Sequence, residues 1–477
     1  MYDVAIIGVG VVGALTAREL SKYQVKVCML EKGDDVAMGA TKANSAIVHG
    51  GFDPEPGTLK AKLNVEGTRM MPELTAQLHV PYQQNGSLVL AFSEEEAKHV
   101  KMLYERGLEN GVPELEILDH DQLLAMEPNL SDNVVCGLLS KWAGIICPYY
   151  LTIAAAGNAM DNGADLMTNF EVTSITEDAE GFTISNGEKE IRARYIIDSA
   201  GVHADEVAAL IGDTSFSVVP KKGEYLLLDK NEGGLVKHTI FQVPTAAGKG
   251  ILVTPTVDGN ILVGPTSEAI DSKEDNDTTL KGLDTVRATA LKSVKEIPFR
   301  SVINSFAGSR ASVAGGDFIL RPSEKSSRFI LAGGIDSPGL SSSPAIAVYL
   351  TQILKENGLE LVENPSFDGT RTSNLEFREM SMEEKNEVIK KDSRYGHMIC
   401  RCETVTEGEI VQAIHQNPPA RTMDAVKRRS RAGMGRCQSG FCTTYIVEIL
   451  ARELGIPEEE VTKFGKQANL LVGKTKE

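Results

Sequence analysis

Four of the seven cysteines stand in two close pairs near the end of the 477-residue chain, Cys400 with Cys402 in CRC and Cys437 with Cys442 in CQSGFC. Two short loops that each offer two thiolates can close on one small inorganic centre. Three chemistries fit such a set. Structural zinc takes four cysteines, though more often through C-x2-C pairs. Catalytic or disulfide thiols need only two of the four, and a [2Fe–2S] cluster uses all of them. Thr406 and Glu409 make a capping box that predicts a helix over 407–415. A second helix is expected over 423–431 and a third over 443–454, whose first amides would stabilise thiolate charge at Cys442. The basic island KRRSRAGMGR places Arg429, Arg431 and Arg436 beside the cysteines, either to compensate their charge or to dock an acidic redox partner. A nucleic-acid patch is the weaker reading, because a net charge of −17 opposes phosphate binding.

At the other end, YDVAIIGVGVVGALTARELSKYQVKVCMLEKG reads as strand, tight turn, helix, strand. Strands are expected over 4–7 and 25–30, with a helix over 14–22 between them. Gly8, Gly10 and Gly13 have the G-x-G-x-x-G spacing. The first permits the turn, the second lets backbone approach a pyrophosphate, and the third lets helix pack on strand. Glu31, at the end of the second strand, can hydrogen-bond ribose hydroxyls. A nicotinamide dehydrogenase would need only this unit and its continuation. Two later strand–glycine–helix segments, over 195–212 with Ala200-Gly201 and over 328–354 with Gly339-Leu340, favour a nucleotide domain assembled from separated pieces, and so FAD. The helix beginning near Gly339 could stabilise negative charge on a reduced flavin.

These three segments, with NSAIVHGGFDPEPGTLKAKLNVEG over 44–67, resemble the D-amino-acid-oxidase-like flavoprotein superfamily. Within it they are most similar to the FAD-dependent glycerol-3-phosphate dehydrogenases and oxidases, with the L-2-hydroxyglutarate dehydrogenases close behind. The resemblance covers roughly residues 1–360. It implies FAD contacts from the turn (Gly8, Val9, Gly10, Val11, Val12, Gly13) and from Glu31 and Lys32. It implies further contacts from Thr41, Asn44 and Ser45, from Val172, from Ala200 and Gly201, and from Gly334, Ile335, Gly339, Leu340 and Ser341. The tail resembles the bacterioferritin-associated-ferredoxin type of [2Fe–2S] domain, with Cys400, Cys402, Cys437 and Cys442 as ligands.

Oxidising a secondary alcohol on flavin needs a base for the hydroxyl proton and fixed groups that hold the substrate. His49, ahead of Gly50-Gly51, is the leading base, and the resemblance puts a histidine beside the flavin here. The bland alternative is a histidine that only packs against the flavin or hydrogen-bonds it. Arg310, in FAGSRAS, matches a substrate-binding arginine of the resembling enzymes, and its planar fork suits an oxyanion. Lys249, between two glycines, is a further candidate by resemblance; alone, such a lysine is usually solvated. Lys221 and Lys222 rank below it.

The elements that must position these groups form an α/β protein. An FAD-binding Rossmann-like domain is expected from 1–80, 145–215 and 301–360, and a mixed-sheet substrate domain from 81–144 and 216–300. A linker over 361–393 and a small helical iron–sulfur domain with its tail over 394–477 would follow. A helix is expected over 94–111, and strands in GEYLLL, GILVTP and NILVGP. The early apolar run over 4–17 is too short to span a bilayer and lacks a basic leader. The scattered Cys28, Cys136 and Cys147 suggest no disulfide framework, which favours a cytoplasmic setting with any membrane contact made through a partner.

Flavin accepts two electrons at once and an iron–sulfur centre passes them singly. The expected activity is therefore glycerol 3-phosphate oxidation with electrons relayed to a protein or quinone-linked partner. A 2-hydroxy-acid dehydrogenase, and less so an amine-oxidising enzyme, is the alternative on this scaffold. A non-catalytic electron-transfer subunit is the alternative of another class. The expected partners are a small phosphorylated or carboxylated alcohol and the redox acceptor, with no nucleic acid and with oligomers compatible.

Overall fold

The run YDVAII becomes the strand Tyr2–Ile7 because its apolar residues meet other buried strands on both sides. In the computed structural model, which describes residues 1–244, 250–372, 376–473 and 475, this strand pairs in parallel with Val27–Leu30 and with Glu190–Asp198. Asp165–Met167 and Phe329–Gly333 extend the parallel set, and antiparallel strands complete an eight-stranded sheet. Ile7 lies opposite both Asp198 and Leu30, and Asp198 opposite Leu331, so the carboxyl ends of strands from three separated stretches open at one edge. Ligands bind at that edge of such a sheet. The side chains of Val4, Ile6, Met29, Ile197 and Ile330 are fully enclosed beneath it. Each such burial contributes about 1.5–3 kcal/mol.

The first helix, Val11–Leu20, begins three residues earlier than expected. Its first turn sits directly on the glycine turn, with Gly10 at the cap. The helix Gly339–Glu356 ends at Asn357, where Gly358 takes a φ of +96°.

The second sheet has nine strands, including Val218–Leu228, Leu252–Pro255 and Ile261–Gly264. The helix Glu94–Glu109 packs on it. Its longest strand, Val302–Val313, pairs along its whole length with Val218–Leu228. The segment from 301, expected to belong to the nucleotide part, therefore begins in the second sheet, and Arg310 lies on that sheet.

The linker is strapped to the nucleotide domain. The Asn158 amide donates to the carbonyls of Asp368 and Thr370, and buried Arg371 donates to those of Ile153 and Asn417. The helix Met382–Lys391 follows, opened by a capping box at Ser381 and Glu384. The tail has its own core, where Ile410, Ile414, Val426, Ile446 and Leu450 join the helices Glu407–His415, Met423–Ser430 and Thr443–Leu454. Among the described residues no helix is long and apolar enough to cross a membrane.

Candidate active site

At the carboxyl edge of the first sheet, Gly8 adopts a φ of +90°, and a Cβ there would lie 2.6 Å from the Ser199 carbonyl. A Cβ on Gly13 would lie 2.1 Å from the Gly8 carbonyl, so turn and helix close on one another only with glycine at both places. The Ser199 hydroxyl donates to the Gly8 carbonyl at 2.9 Å. Sequence reasoning missed Ser199, although its place before Ala200-Gly201 was a usable signal. Glu31 is buried, and its carboxylate accepts from the amides of Val9 (3.0 Å) and Gly33 (2.9 Å). Burial raises its pKa against the pull of those amides. Thr41 accepts from the Val11 amide at the helix start, 3.1 Å away.

This edge opens into a cavity of about 1790 Å³ that reaches the second sheet. Single drug-sized ligands occupy about 300–1,000 Å³, so there is room for a dinucleotide and a substrate together. Gly8, Gly10, Val11, Val12, Glu31, Lys32, Thr41, Asn44, Ser45, Val172, Ala200, Gly201, Ile335, Gly339, Leu340 and Ser341 line it. Val9 and Gly13 do not. Val9 is buried in the core beneath the turn, and Gly13 carries the helix contact. Gly334 also stands behind the wall, with a φ of +66° and Val313 where its side chain would be.

His49 lines the cavity and is buried. Its amide donates to the Ser341 hydroxyl at 2.6 Å, and its carbonyl accepts from Asn64 (2.9 Å) and Thr68 (2.8 Å). The ring lies against Phe52 and Phe241, with centroids at 4.6 and 5.9 Å. Its Nδ1 accepts from the Gly51 amide at a long 3.2 Å, which favours the neutral ring with the proton on Nε2. The Asn44 side chain is spent on the backbone of its own turn, donating to Thr41 and accepting from Ala46. The Ser45 hydroxyl lies 3.2 Å from that of Tyr225.

Arg310 enters the same cavity from the second sheet, in register with Lys221. Its guanidinium reaches the Thr266 carbonyl at 3.3 and 3.4 Å, contacts too long to hold it strongly. Gly223 makes room for it, since a Cβ there would lie 2.6 Å from Nη2. Lys222 is buried elsewhere and paired with Asp275 at 2.7 Å. Lys249 lies outside the described residues. A further group that sequence reasoning missed is Asp336, which takes Lys60 at 2.5 Å and the Ser312 hydroxyl at 2.8 Å on the cavity wall.

In the tail the four cysteines converge. Cys402 Sγ lies 4.0 Å from that of Cys400 and 3.6 Å from that of Cys437, and Cys442 hydrogen-bonds Cys400. That bond, with the amides of Gly433 and Glu403, outweighs burial and lowers the Cys400 pKa to about 6. Burial and the neighbouring thiols raise Cys402 to about 11. Gly435 has no room for a side chain, because its Cβ would lie 2.7 Å from the Cys402 sulfur. Cys442 also feels the Cys437 thiol, so the four sulfurs form one cluster. Among the described residues no three or more His, Cys, Asp or Glu side chains gather as one metal ion requires. Four thiols in two pairs suit a two-iron centre, whose ligands divide between two metals.

The basic island turns inward. Arg428 and Arg429 both grip buried Asp35, while Arg431 spans Asp258 (2.5 Å) and Glu403 (2.8 Å). Arg436 pairs with Asp229 at 3.0 Å. The expectation that Arg429 and Arg431 compensate the thiolates or dock a partner is thus corrected, since carboxylates of this chain already hold them. Burial pushes Asp35 up, but Arg429 and Arg428 outweigh it and hold the carboxyl at about 2. The loop that carries Asp35 also lines the cavity at Met38–Lys42 and donates from Ala37 to the Val9 carbonyl at 2.9 Å.

Residues 3–353 match the model of the FAD dependent oxidoreductase family, and residues 398–452 that of the BFD-like [2Fe-2S] binding domain. The chain is 48% identical over 476 residues to a glycerol 3-phosphate dehydrogenase of Caloramator mitchellensis, covering 100% of this chain and 99% of that one. It is 36% identical over 362 residues to a glycerol 3-phosphate oxidase of Mycoplasma genitalium, covering 74% of this chain and 94% of the relative. Among solved structures it is similar to the L-α-glycerophosphate oxidase of Mycoplasma pneumoniae with FAD bound, at a TM-score of 0.74 and 33% identity, covering 78% of this chain and 98% of the other.

Proposed function

The chain belongs to the FAD-dependent oxidoreductase family and ends in a BFD-like [2Fe–2S] binding domain, and on that basis we propose that it oxidises glycerol 3-phosphate to dihydroxyacetone phosphate and sends the electrons through its tail to a partner. The observation that carries this reading is the shared cavity, into which the glycine turn, His49 and the Arg310–Lys221 pair all open. When bound, FAD supplies a two-electron hydride acceptor and the cluster a one-electron carrier.

The chain's own residues do the rest. Arg310, weakly engaged by Thr266, offers its fork to the phosphate, with Lys221 beside it as a second cation. His49 takes the hydroxyl proton. To do so at Nε2, the ring must first carry its own proton on Nδ1 instead, which forfeits the long bond from Gly51 at a cost of about 0.5–1.5 kcal/mol. Ser341 and the Asn64–Thr68 pair fix the backbone on either side of that ring, so reorientation is confined to the side chain. Ser45 and Tyr225 add hydroxyls at the wall. Glu31 and Thr41 hold the turn and the helix start that receive the pyrophosphate. Cys400, Cys402, Cys437 and Cys442 would hold the cluster. The three cysteines outside the cluster, Cys28, Cys136 and Cys147, are unpaired, which supports a reducing, cytoplasmic setting.

Anaerobic mixing of the holoenzyme with glycerol 3-phosphate tests the proposal, with bleaching of the flavin band as the expected result. Bleaching by L-2-hydroxyglutarate and none by glycerol 3-phosphate would replace the substrate, since the Arg310 fork accepts a carboxylate as readily as a phosphate.

A further inference from the structure

The four cysteines divide into an inner and an outer pair. Cys400 and Cys442 are each 1% exposed and belong to the tail's core, whereas Cys402 is exposed and Cys437 half-buried. The outer edge therefore points to solvent. Two exposed arginines stand next to the outer pair in the chain, Arg401 before Cys402 and Arg436 before Cys437. Arg436 is anchored by Asp229, and no ion pair is found for Arg401 among the described residues.

The loop between the outer and inner cysteines is unusual. Gln438 and Ser439 both take left-handed backbone angles, with φ of +46° and +73°, although neither is glycine. Such conformations persist only where the surroundings impose them, and they collect at functional sites. Here the Gln438 amide donates to the Gly435 carbonyl and the Gly440 amide to that of Cys437, which locks the loop. The loop delivers Phe441 to the surface at 83% exposure, directly before the ligand Cys442. Tyr445, four residues on and 47% exposed, extends the patch along the helix and rests edge-on against His397. Glu448 is the next exposed charge, a further turn from the cysteines.

We infer that this face, Phe441 and Tyr445 flanked by Arg401 and Arg436, is the docking surface for an acidic one-electron carrier protein. The inference rests on the reading that electrons leave through the tail. An exposed aromatic beside a redox centre gives a partner an anchor, and cations on its rim select carboxylates. The chain as a whole carries −17, so a cationic face marks one place where an acidic protein can approach. Arg428, Arg429 and Arg431 are paired and turned inward, whereas Arg436 stays 59% exposed beside Asp229, which leaves Arg401, with Arg436 also on the rim, to do the recognition. Each substrate oxidation releases two electrons and two protons, so two molecules of such a carrier are reduced per turnover.

The test uses the oxidised holoenzyme without substrate, with oxidised cytochrome b5 as an acidic probe and cytochrome c as a basic one. Cytochrome b5 is expected to bind with an affinity that falls as salt rises. Arg401→Glu and Phe441→Ser are each expected to weaken it about tenfold, the cost of losing one good contact. Both variants should keep the cluster's absorbance and the rate at which glycerol 3-phosphate bleaches the flavin. Unchanged cytochrome b5 binding in both variants overturns the inference. So does tighter binding of cytochrome c, or sedimentation showing that two copies of the chain pair through Phe441. Because binding is read without substrate, failure of glycerol 3-phosphate to bleach the flavin would refute the proposed activity and leave this result standing.

Discussion

Asp35 and Arg429 face each other through two hydrogen bonds, Nη2 to Oδ1 at 2.7 Å and Nη1 to Oδ2 at 2.8 Å, with both side chains only 3% exposed. Arg428 adds a third bond at 2.7 Å. One partner lies just after the second strand of the nucleotide sheet and the other in the second helix of the tail. The pair thus ties a loop that lines the cavity to the tail.

Replacing Asp35 with Asn should undock the tail. Breaking one side of a buried ion pair costs about 3–5 kcal/mol. Limited proteolysis should release the tail far faster, while substrate still bleaches the flavin. The Asp35 carboxyl sits at about 2 in the folded protein against an ordinary 3.8, so its stabilisation is complete above the ordinary value and is lost as pH falls through about 2. Docking followed by proteolysis in the native protein should weaken only in that acid window.

For His49→Gln, flavin content should stay normal and flavin reduction by glycerol 3-phosphate should slow by about 10²–10⁴, the usual worth of a general base. Stopped-flow absorbance reads it directly. A loss confined to flavin retention would instead mark His49 as a packing residue.

Arg310→Met removes charge-assisted bonds worth about 1.5–3 kcal/mol. KM for the phosphate substrate should rise about 10- to 100-fold, at about 1.4 kcal/mol per tenfold. Arg310→Lys should recover only part of it, because an ammonium cannot reproduce the fork.

Gly13→Ala places a methyl 2.1 Å from the Gly8 carbonyl, and backbone cannot retreat as a side chain can. The purified variant should carry little flavin, measured as absorbance per chain.

Cys402→Ser should remove iron and acid-labile sulfide from the isolated protein and abolish transfer to cytochrome b5. The rate of flavin reduction by substrate should persist, since the cavity and the cysteines share no residue.

Features written in neighbouring residues were legible. The glycine turn, the capping box at Thr406 and Glu409, and the tail helices Glu407–His415 and Thr443–Leu454 lie where their local signals put them. What escaped depends on distant partners. Nothing near Arg428 or Arg429 announces a carboxylate almost four hundred positions earlier, so an inward clasp looked like an outward patch. Lys221 and Lys222 are adjacent in the sequence, but strand alternation sends one to the cavity and the other to Asp275. FAGSRAS, rich in small residues, gave no hint of lying in the longest strand of the second sheet. The need for Gly223 is visible only once the Arg310 fork lies against it.

The strap formed by Asp368, Thr370 and Arg371 has a kinetic consequence. A carrier domain on a loose tether must swing between donor and acceptor, and its throughput then slows as the solvent thickens. Here the segment leading to the cysteines is bonded to the helix Pro148–Asp161, and the tail is clasped at Asp35. In the proposed relay no domain has to swing inside the chain, so viscosity should act only on the arrival and departure of the external carrier.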